Sequence, residues 1–228
     1  MLISYKKRFI FVHIDKNGGT SIRNSLEKYS DSKILFLISN KIDKVLRFNF
    51  DNKEILYGRS ILNFLNRFLK INNNFFSYHH PLSLLNMVDL KKYFKFCVFR
   101  NPVDRFYSLY FHNLYHKHSS GHIYAKKGIS NFLNNFIIKN KIKRQVDYII
   151  SKNKKILIND FILFDRIEKD YERICKKIIG KKIKLNHLNK KKIKKKEKLN
   201  SNDLNNLKKY FKEDIKIYNL LIKNVNPI

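Results

Sequence analysis

The sequence is poor in cysteine, in acidic residues and in long apolar runs, and each shortage excludes a class of protein. Two cysteines in 228 residues cannot form a disulfide framework, so we expect Cys97 and Cys175 to be buried and reduced. No stretch reaches the roughly 18 consecutive apolar residues that a membrane-spanning helix needs. The N-terminal segment also lacks the long apolar core of a secretory signal. These absences predict a soluble, cytoplasmic chain.

Acidic residues are few beside the basic ones. Lys and Arg number 49 against 18 Asp and Glu, which gives a formal net charge of +31. Such a charge is typical of proteins that bind polyanions, so acidic polysaccharide, nucleic acid and a peripheral membrane surface all stay open as partners. Lys, Asn, Ile and Phe are abundant while Gly and Pro are scarce, and because A/T-rich codon usage also produces this composition, we ascribe part of the charge to it. The lysine-rich segment 181–198 is interpreted as a solvated surface or, alternatively, as one that steers an anionic acceptor to the site.

Glycine is scarce too, yet two of the six glycines stand side by side after an apolar, strand-like run at 8–14. A helical pattern follows them. Amides in the first turn of a helix have no partner within it, the helix dipole adds positive potential, and glycines let the backbone approach an anion. The lysine precedes the glycines, whereas nucleoside-triphosphate loops carry it after the last glycine. The residues that we expect to hold a phosphate group are Lys16, Asn17, Gly18, Gly19, Thr20 and Ser21.

A second apolar run, Phe94–Phe99, ends at Arg100 and precedes a predicted helix over 102–117. Ligands bind at the carboxyl ends of strands in open α/β sheets, so this arginine is placed to bind an anion. Arg100 and Ser108 are predicted to hold a second phosphate, the arginine through a forked, charge-assisted contact. Arg105 shares a helix face with Ser108, and it either contacts substrate or pairs with a neighbouring carboxylate.

Strands alternating with helices are predicted along the chain. This alternation is typical of a three-layer α/β fold of the P-loop nucleotide-binding type, in which helices flank a mostly parallel sheet. No linker is visible, so the prediction is a single domain over 1–228. The further predicted helices are 20–29, 59–70, 82–92, 129–139, 167–179 and 201–223. The further predicted strands are 33–38, 75–78 and 156–164, with a loop at 118–128.

Two phosphate sites at the ends of two strands suggest a nucleotide that is phosphorylated at both ends of its ribose. The segment His13–Ser21 resembles the 5′-phosphosulfate loop of sulfotransferases that use PAPS (3′-phosphoadenosine 5′-phosphosulfate). Phe99–Tyr110 resembles their 3′-phosphate motif, in which a serine follows an arginine by eight residues. The carbohydrate sulfotransferases are the most similar in pattern. Gln145, the acidic stretch Asp165–Asp170 and the triplet His187–Asn189 continue the order of that family.

The resemblance implies an O-sulfotransferase that moves the sulfuryl group from PAPS to a carbohydrate hydroxyl, in a glycan or glycolipid, without a metal. His79 and His80 follow a short apolar run, and one of them, His80 by preference, is the expected base because imidazole titrates near neutral pH. Gln145 and Arg105 are expected to contact substrate. Asp15 stands where the motif has proline, and a carboxylate there would weaken binding of an anionic donor unless it turns away or pairs.

Two other functions fit parts of the sequence. A P-loop kinase-like phosphotransferase would need a Walker-type lysine and magnesium-binding acids, and the sequence contains neither. A basic nucleic-acid-binding protein would explain the charge but not the paired motifs, so no specific nucleic-acid partner is expected. Binding of adenosine 3′,5′-bisphosphate without magnesium separates the three.

Overall fold

The protein is described by a computed structural model that covers residues 2–4, 6–29, 81–82, 90–151, 153–185 and 197–223. The predicted strands 33–38 and 75–78, the predicted helix 59–70 and most of the predicted helix 82–92 lie outside these residues. The candidate bases His79 and His80 and the triplet His187–Asn189 lie outside them too.

The described strands form one sheet in the order β1 (Leu2–Ser4), β2 (Phe9–Val12), β3 (Phe94–Phe99) and β4 (Asp160–Leu163). β2, β3 and β4 are parallel, and β1 pairs antiparallel with β2. β2 and β3 confirm their predictions. β4 fills only the end of the predicted 156–164, because Ile156 makes an isolated bridge with Ile150 instead. β1 was not predicted, since three residues are too few to show an alternating pattern.

The described helices are α1 (Gly19–Leu26), α2 (Pro102–Tyr115), α3 (His122–Lys126), α4 (Ile129–Asn131), α5 (Ile167–Ile179), α6 (Ser201–Tyr210) and α7 (Lys212–Lys223). α1 continues as a 3-10 turn over Glu27–Tyr29, and α4 continues as a π-helix over Phe132–Ile138. The prediction of a loop over 118–128 was wrong where α3 forms, because glycines bound this short helix and buried Ala125 anchors it.

The single helix predicted over 201–223 is two helices that meet at Phe211. Leu207 and Phe211 pack into a cluster of helices, whereas Tyr218 packs against the sheet. One straight helix would present a single apolar stripe, so the break lets the chain bury two faces that point in different directions.

Side chains alternate along β2 and divide the apolar core between the two faces of the sheet. Phe9 and Phe11 pack with buried residues of α1 and α5. Ile10 and Val12 pack on the opposite face, where α7 covers them. Helices therefore lie on both faces of the parallel strands, which confirms the three-layer α/β architecture.

A third apolar cluster holds α2 against the other helices. Phe106 and Tyr110 of α2 pack with Phe132 of the π-helix and with Phe211. The Tyr110 hydroxyl donates a hydrogen bond of 2.6 Å to Glu197 Oε2. α2 begins just after β3, so this cluster also fixes the position of the helix that follows Arg100.

Candidate active site

The carboxyl ends of β2, β3 and β4 bring the two predicted motifs together. Arg100, which follows β3, donates a hydrogen bond of 3.0 Å from Nη1 to the backbone carbonyl of Lys16 in the loop after β2. Its guanidinium lies over the ring of Phe164, which follows β4, with Cζ 4.1 Å from the ring centroid. Burial lowers the pKa of this guanidinium, but an arginine stays protonated at physiological pH. The first and second motifs are therefore in direct contact at one edge of the sheet.

The loop between β2 and α1 owes its shape to a left-handed backbone at Lys16 (φ 62°) and Gly18 (φ 76°). Glycine adopts this conformation freely, whereas a residue with a Cβ does so at a cost of about 1–2 kcal/mol. Contacts with two arginines hold the strained segment. Arg105 Nε donates to the carbonyl of Asp15 at 3.1 Å, and Arg100 holds the next carbonyl as described.

These carbonyl contacts also orient the amides of the loop. A trans peptide is planar, so a carbonyl that faces one way turns the following N–H the opposite way. The carbonyls of Asp15 and Lys16 face the two arginines, and the N–H groups of Lys16 and Asn17 are therefore directed away from them. Consecutive backbone amides that point to the same side are the feature from which proteins build anion-binding concavities.

α1 begins without a capping side chain. Its N-cap residue, Gly18, offers none, and its first turn contains no acidic residue. α2 is different, because Asn101 Oδ1 accepts the amides of Val103 and Asp104 at 2.9 and 3.4 Å. The positive end of the α1 dipole thus adjoins the loop, and neither the N-cap residue nor the first turn carries a side chain that neutralises it. Helix N-termini of this kind can bind phosphate or sulfate.

Packing by itself requires both glycines, and the approach of an anion to them stays a prediction. A Cβ at Gly19 would lie 2.2 Å from Cδ2 of His13, and a Cβ at Gly18 would lie 3.0 Å from Cε2 of Phe164. A Cβ at either position would point into the protein, so the glycines let the loop lie close against these rings. His13 is buried and stacks on Phe11.

A pair of buried amide side chains joins the loop to Arg100. Asn17 Nδ2 donates to the carbonyl of Val98 at 2.7 Å and to Gln145 Oε1 at 2.6 Å. Gln145 Oε1 also accepts the N–H of Arg100 at 3.0 Å, and its Nε2 donates to the carbonyl of Arg100 at 2.8 Å. Flipping either amide would oppose donor to donor or acceptor to acceptor, so both orientations are determined. Asn17 Oδ1 is buried without a partner among the described residues.

Asp15 pairs with Arg105, which is 1% exposed. Arg105 Nη2 donates to Asp15 Oδ1 at 2.6 Å, and both terminal nitrogens lie 3.3 Å from the carbonyl of Lys143. The hydroxyl of Tyr148 donates to the same carboxylate oxygen at 3.2 Å. Burial by itself lowers the pKa of Arg105, but the Asp15 carboxylate raises it overall. The carboxylate at position 15 is therefore paired, and contact of Arg105 with substrate stays a prediction.

Two side chains of α7 reach this edge, and we had assigned them no role. Asp214 accepts the backbone N–H groups of Gln145 and Val146, both at 2.8 Å. Burial raises the pKa of Asp214, whereas the hydrogen bonds from the two backbone N–H groups act to lower it. Tyr218, one turn later, donates to Asp165 Oδ2 at 2.5 Å. Their spacing of four predicts a shared helix face, but it does not indicate what that face contacts.

The other residues predicted to bind the donor lie on the surface or partly below it. Thr20 is exposed, and Lys16, Ser21 and Ser108 are half-buried. Their contacts with the two phosphate ends of a nucleotide stay predictions, as does the contact of Gln145 with substrate.

Comparison with known families matches residues 1–176 to the Sulfotransferase family. The chain belongs to this family. The match spans both motifs and the sheet, and it ends within α5. No curated protein and no solved structure matches the chain. Family membership supports transfer of a sulfuryl group to a hydroxyl-bearing acceptor.

Three further observations concern the part of this sulfotransferase that the structure describes. No helix there is long and apolar enough to cross a bilayer. In the same residues, no group of three or more His, Cys, Asp or Glu side chains is arranged to hold a metal ion, and a reaction without a metal stays a prediction. Cys97 and Cys175 are free thiols and buried, as the sequence predicted.

Proposed function

We propose that this sulfotransferase takes its sulfuryl group from PAPS and transfers it to a carbohydrate hydroxyl, in a glycan or a glycolipid. The observation that carries the proposal is the contact between Arg100 and the carbonyl of Lys16, because it makes the two anion-binding motifs neighbours. PAPS carries its negative charge at both ends of one ribose, and two adjacent cationic motifs suit that distribution.

The loop and the start of α1 suit the 5′ end of the donor. α1 has neither a capping side chain nor an acid in its first turn, and the amides of Lys16 and Asn17 turn away from the arginines. Residues 16–21 are therefore proposed to hold the 5′-phosphosulfate through backbone N–H groups, the Lys16 ammonium and the hydroxyls of Thr20 and Ser21.

Arg100 and Ser108 are proposed to hold the 3′-phosphate. The Phe164 ring and the Lys16 carbonyl orient the guanidinium of Arg100 before any ligand binds. Arg100 Nε is buried and has no hydrogen-bond partner among the described residues, so it retains a donor for a phosphate oxygen. An oriented guanidinium can present two parallel donors to a phosphate, which a lysine cannot do.

The residues then have distinct parts in the transfer. PAPS supplies a sulfuryl group whose bond to the 5′-phosphate oxygen breaks as a bond to the acceptor oxygen forms in line with it. A histidine of the 79/80 pair, His80 by preference, is proposed to take the proton of the acceptor hydroxyl. Lys16 and the loop amides stabilise the charge left on the 5′-phosphate. Direct contact of Gln145 or Arg105 with the acceptor would require them to release their present partners.

Calorimetry tests the assignment of Arg100 with two ligands that differ only in the 3′-phosphate. The wild-type protein is expected to bind adenosine 3′,5′-bisphosphate without magnesium and more tightly than AMP. In Arg100→Ala this preference should fall by at least about 10-fold, because one charge-assisted contact of about 1.5–3 kcal/mol is lost. AMP is the control for damage to the loop, since it lacks the group that Arg100 is proposed to bind.

The same titrations separate the rival functions. Magnesium-dependent ATP binding would favour a kinase, and DNA binding that weakens steeply with salt would favour a nucleic-acid partner. An Arg100→Ala protein with an undiminished preference for the bisphosphate would exclude Arg100 from the 3′-phosphate site.

A further inference from the structure

Gln145 lies between the two anion-binding motifs and contacts both. Its side-chain amide pairs with the N–H and the carbonyl of Arg100, much as a neighbouring strand would pair with that residue. The same oxygen accepts the amide of Asn17, 128 residues away in sequence. One side chain therefore sets the spacing between the loop after β2 and the residue after β3.

The backbone of Gln145 is held from another side of the molecule. Asp214 of α7 accepts the N–H groups of Gln145 and Val146 through its two carboxylate oxygens, and it is fully buried. The backbone of residue 145 is thus held independently of the side-chain amide of Gln145. Its side chain is a fixed support to which Asn17 and Arg100 attach.

The orientation of the Asn17 side chain is imposed by Val98 and Gln145. Both donated bonds of its Nδ2 go to Val98 and Gln145, while Oδ1 stays buried without a partner among the described residues. A buried acceptor without a donor is unfavourable, so an Asn free to choose its rotamer would satisfy that oxygen. Among the described residues, the bonds to Val98 and Gln145 thus fix the orientation of the Asn17 amide.

We propose that Gln145 is a positioning residue that holds the loop of Lys16 and the guanidinium of Arg100 at the spacing needed to bind both ends of one donor. The inference rests on the proposed function. It assigns Gln145 no contact with donor or acceptor, because the side chain is fully buried and its amide is engaged with Asn17 and Arg100.

Replacing Gln145 with two side chains of similar size distinguishes a positioning role from a role in packing alone. Gln145→Leu fills the space but bonds neither Asn17 nor Arg100, and its affinity for adenosine 3′,5′-bisphosphate should fall at least about 10-fold. The affinity of the Gln145→Glu variant for the same ligand should depend on pH. A protonated carboxyl can accept with one oxygen and donate to the Arg100 carbonyl with the other, as the amide does, whereas a carboxylate can only accept. Its affinity relative to the wild type should be near normal at low pH and fall as pH rises through the pKa of the new carboxyl.

The charged groups around position 145 belong to five parts of the fold, and titrating the wild-type protein at each pH accounts for them. They are Arg144 and Asp147 on either side of Gln145, Lys16 and Asp15 in the loop, Arg100 after β3, Arg105 of α2 and Asp214 of α7. Gln145→Leu carries no titratable group, so it should show no additional pH dependence. A loss of affinity in Gln145→Glu that is the same at every pH would overturn the donor role assigned to the amide.

Tyr171→Phe is the matched control, because it removes a partly buried hydrogen bond between distant parts of the chain. The Tyr171 hydroxyl donates to Ser25 Oγ at 2.7 Å, on the face of the sheet that α5 covers. This variant should lower the melting temperature without changing affinity for the bisphosphate. A loss of affinity equal to that of Gln145→Leu would reduce the role of Gln145 to general stability.

Hydrogen exchange in the ligand-free proteins keeps the inference independent of the donor. Amides of residues 15–19 should exchange faster in Gln145→Leu than in the wild type, and at an unchanged rate in Tyr171→Phe. A wild-type protein that fails to bind the bisphosphate would contradict the proposed function, and the exchange rates would then decide the role of Gln145. Unchanged exchange at residues 15–19 in Gln145→Leu overturns the inference in either case.

Discussion

Asp15 and Arg105 illustrate how single residues hold the strained loop. The arginine binds both the backbone carbonyl and the side chain of Asp15, immediately before the left-handed residue Lys16. A proline at position 15, as in the motif that the loop resembles, would restrict the backbone through its ring. Here the ion pair between buried Arg105 and half-buried Asp15 provides the restriction, and it also neutralises a carboxylate that would otherwise repel an anionic donor.

Asp15→Ala is therefore expected to destabilise the protein by about 3 kcal/mol, because it leaves the buried charge of Arg105 without its carboxylate. Urea unfolding measures the loss. The control is Asp147→Ala, which breaks a half-exposed pair with Arg144 and should cost less than about 1 kcal/mol. Equal losses in the two variants would show that the Asp15 pair has no special structural role.

At the scale of elements, α1 and α2 both begin at the carboxyl edge but differ at their N-termini. Asn101 caps α2, whereas α1 has no capping side chain and no acid in its first turn. A cap or an acid would stabilise α1 through its dipole and its unpaired amides. The same groups would compete with the anionic ligand proposed above, so if α1 binds that ligand, binding and helix stability are opposed at this position.

Thr20→Asp should separate these two properties, because Thr20 is exposed in the first turn of α1. The new carboxylate should raise the free energy of unfolding by about 0.3–1 kcal/mol through the helix dipole and should lower the affinity for adenosine 3′,5′-bisphosphate. Asn202→Asp, at an exposed position in the first turn of α6, is the control for the charge itself. If both variants left the affinity unchanged, the start of α1 would not be a binding site for the donor.

At the scale of the whole molecule, each face of the sheet has its own apolar core, and each core contains one cysteine. Cys97 packs on the face that α7 covers, and Cys175 packs on the face of α1 and α5. Burial raises the pKa of the Cys97 thiol, and it raises the pKa of Cys175 to about 11. Both thiols are therefore neutral at pH 7 and unreactive while the protein is folded.

Labelling with a thiol reagent tests whether the chain is the single domain that the sequence predicts. The variants Cys97→Ala and Cys175→Ala each retain one thiol. If the two faces unfold together, both proteins should react slowly, each at a rate that matches its own global unfolding in denaturant. A Cys175 thiol that reacts well before global unfolding would indicate that α5 opens as a separate unit.

Local patterns were enough to predict several elements of this fold and the turn that leads from β2 into α1. β3 and α5 were predicted at their observed bounds, because an apolar run or an amphipathic period lies wholly within the segment it describes. The Lys16 loop was predicted for the same reason. The split between α6 and α7 was missed, because it depends on which surfaces Phe211 and Tyr218 pack against.

The sequence by itself determined the α/β alternation, the two motifs that are proposed to bind anions and the excess of positive charge, since each is a property of neighbouring residues. Only the tertiary structure decided what joins those motifs. Asp15 meets Arg105 across 90 residues, and Asn17 meets Gln145 across 128. Contacts over such separations leave no periodic trace in the chain, because they arise only when the parallel strands bring their carboxyl ends to one edge.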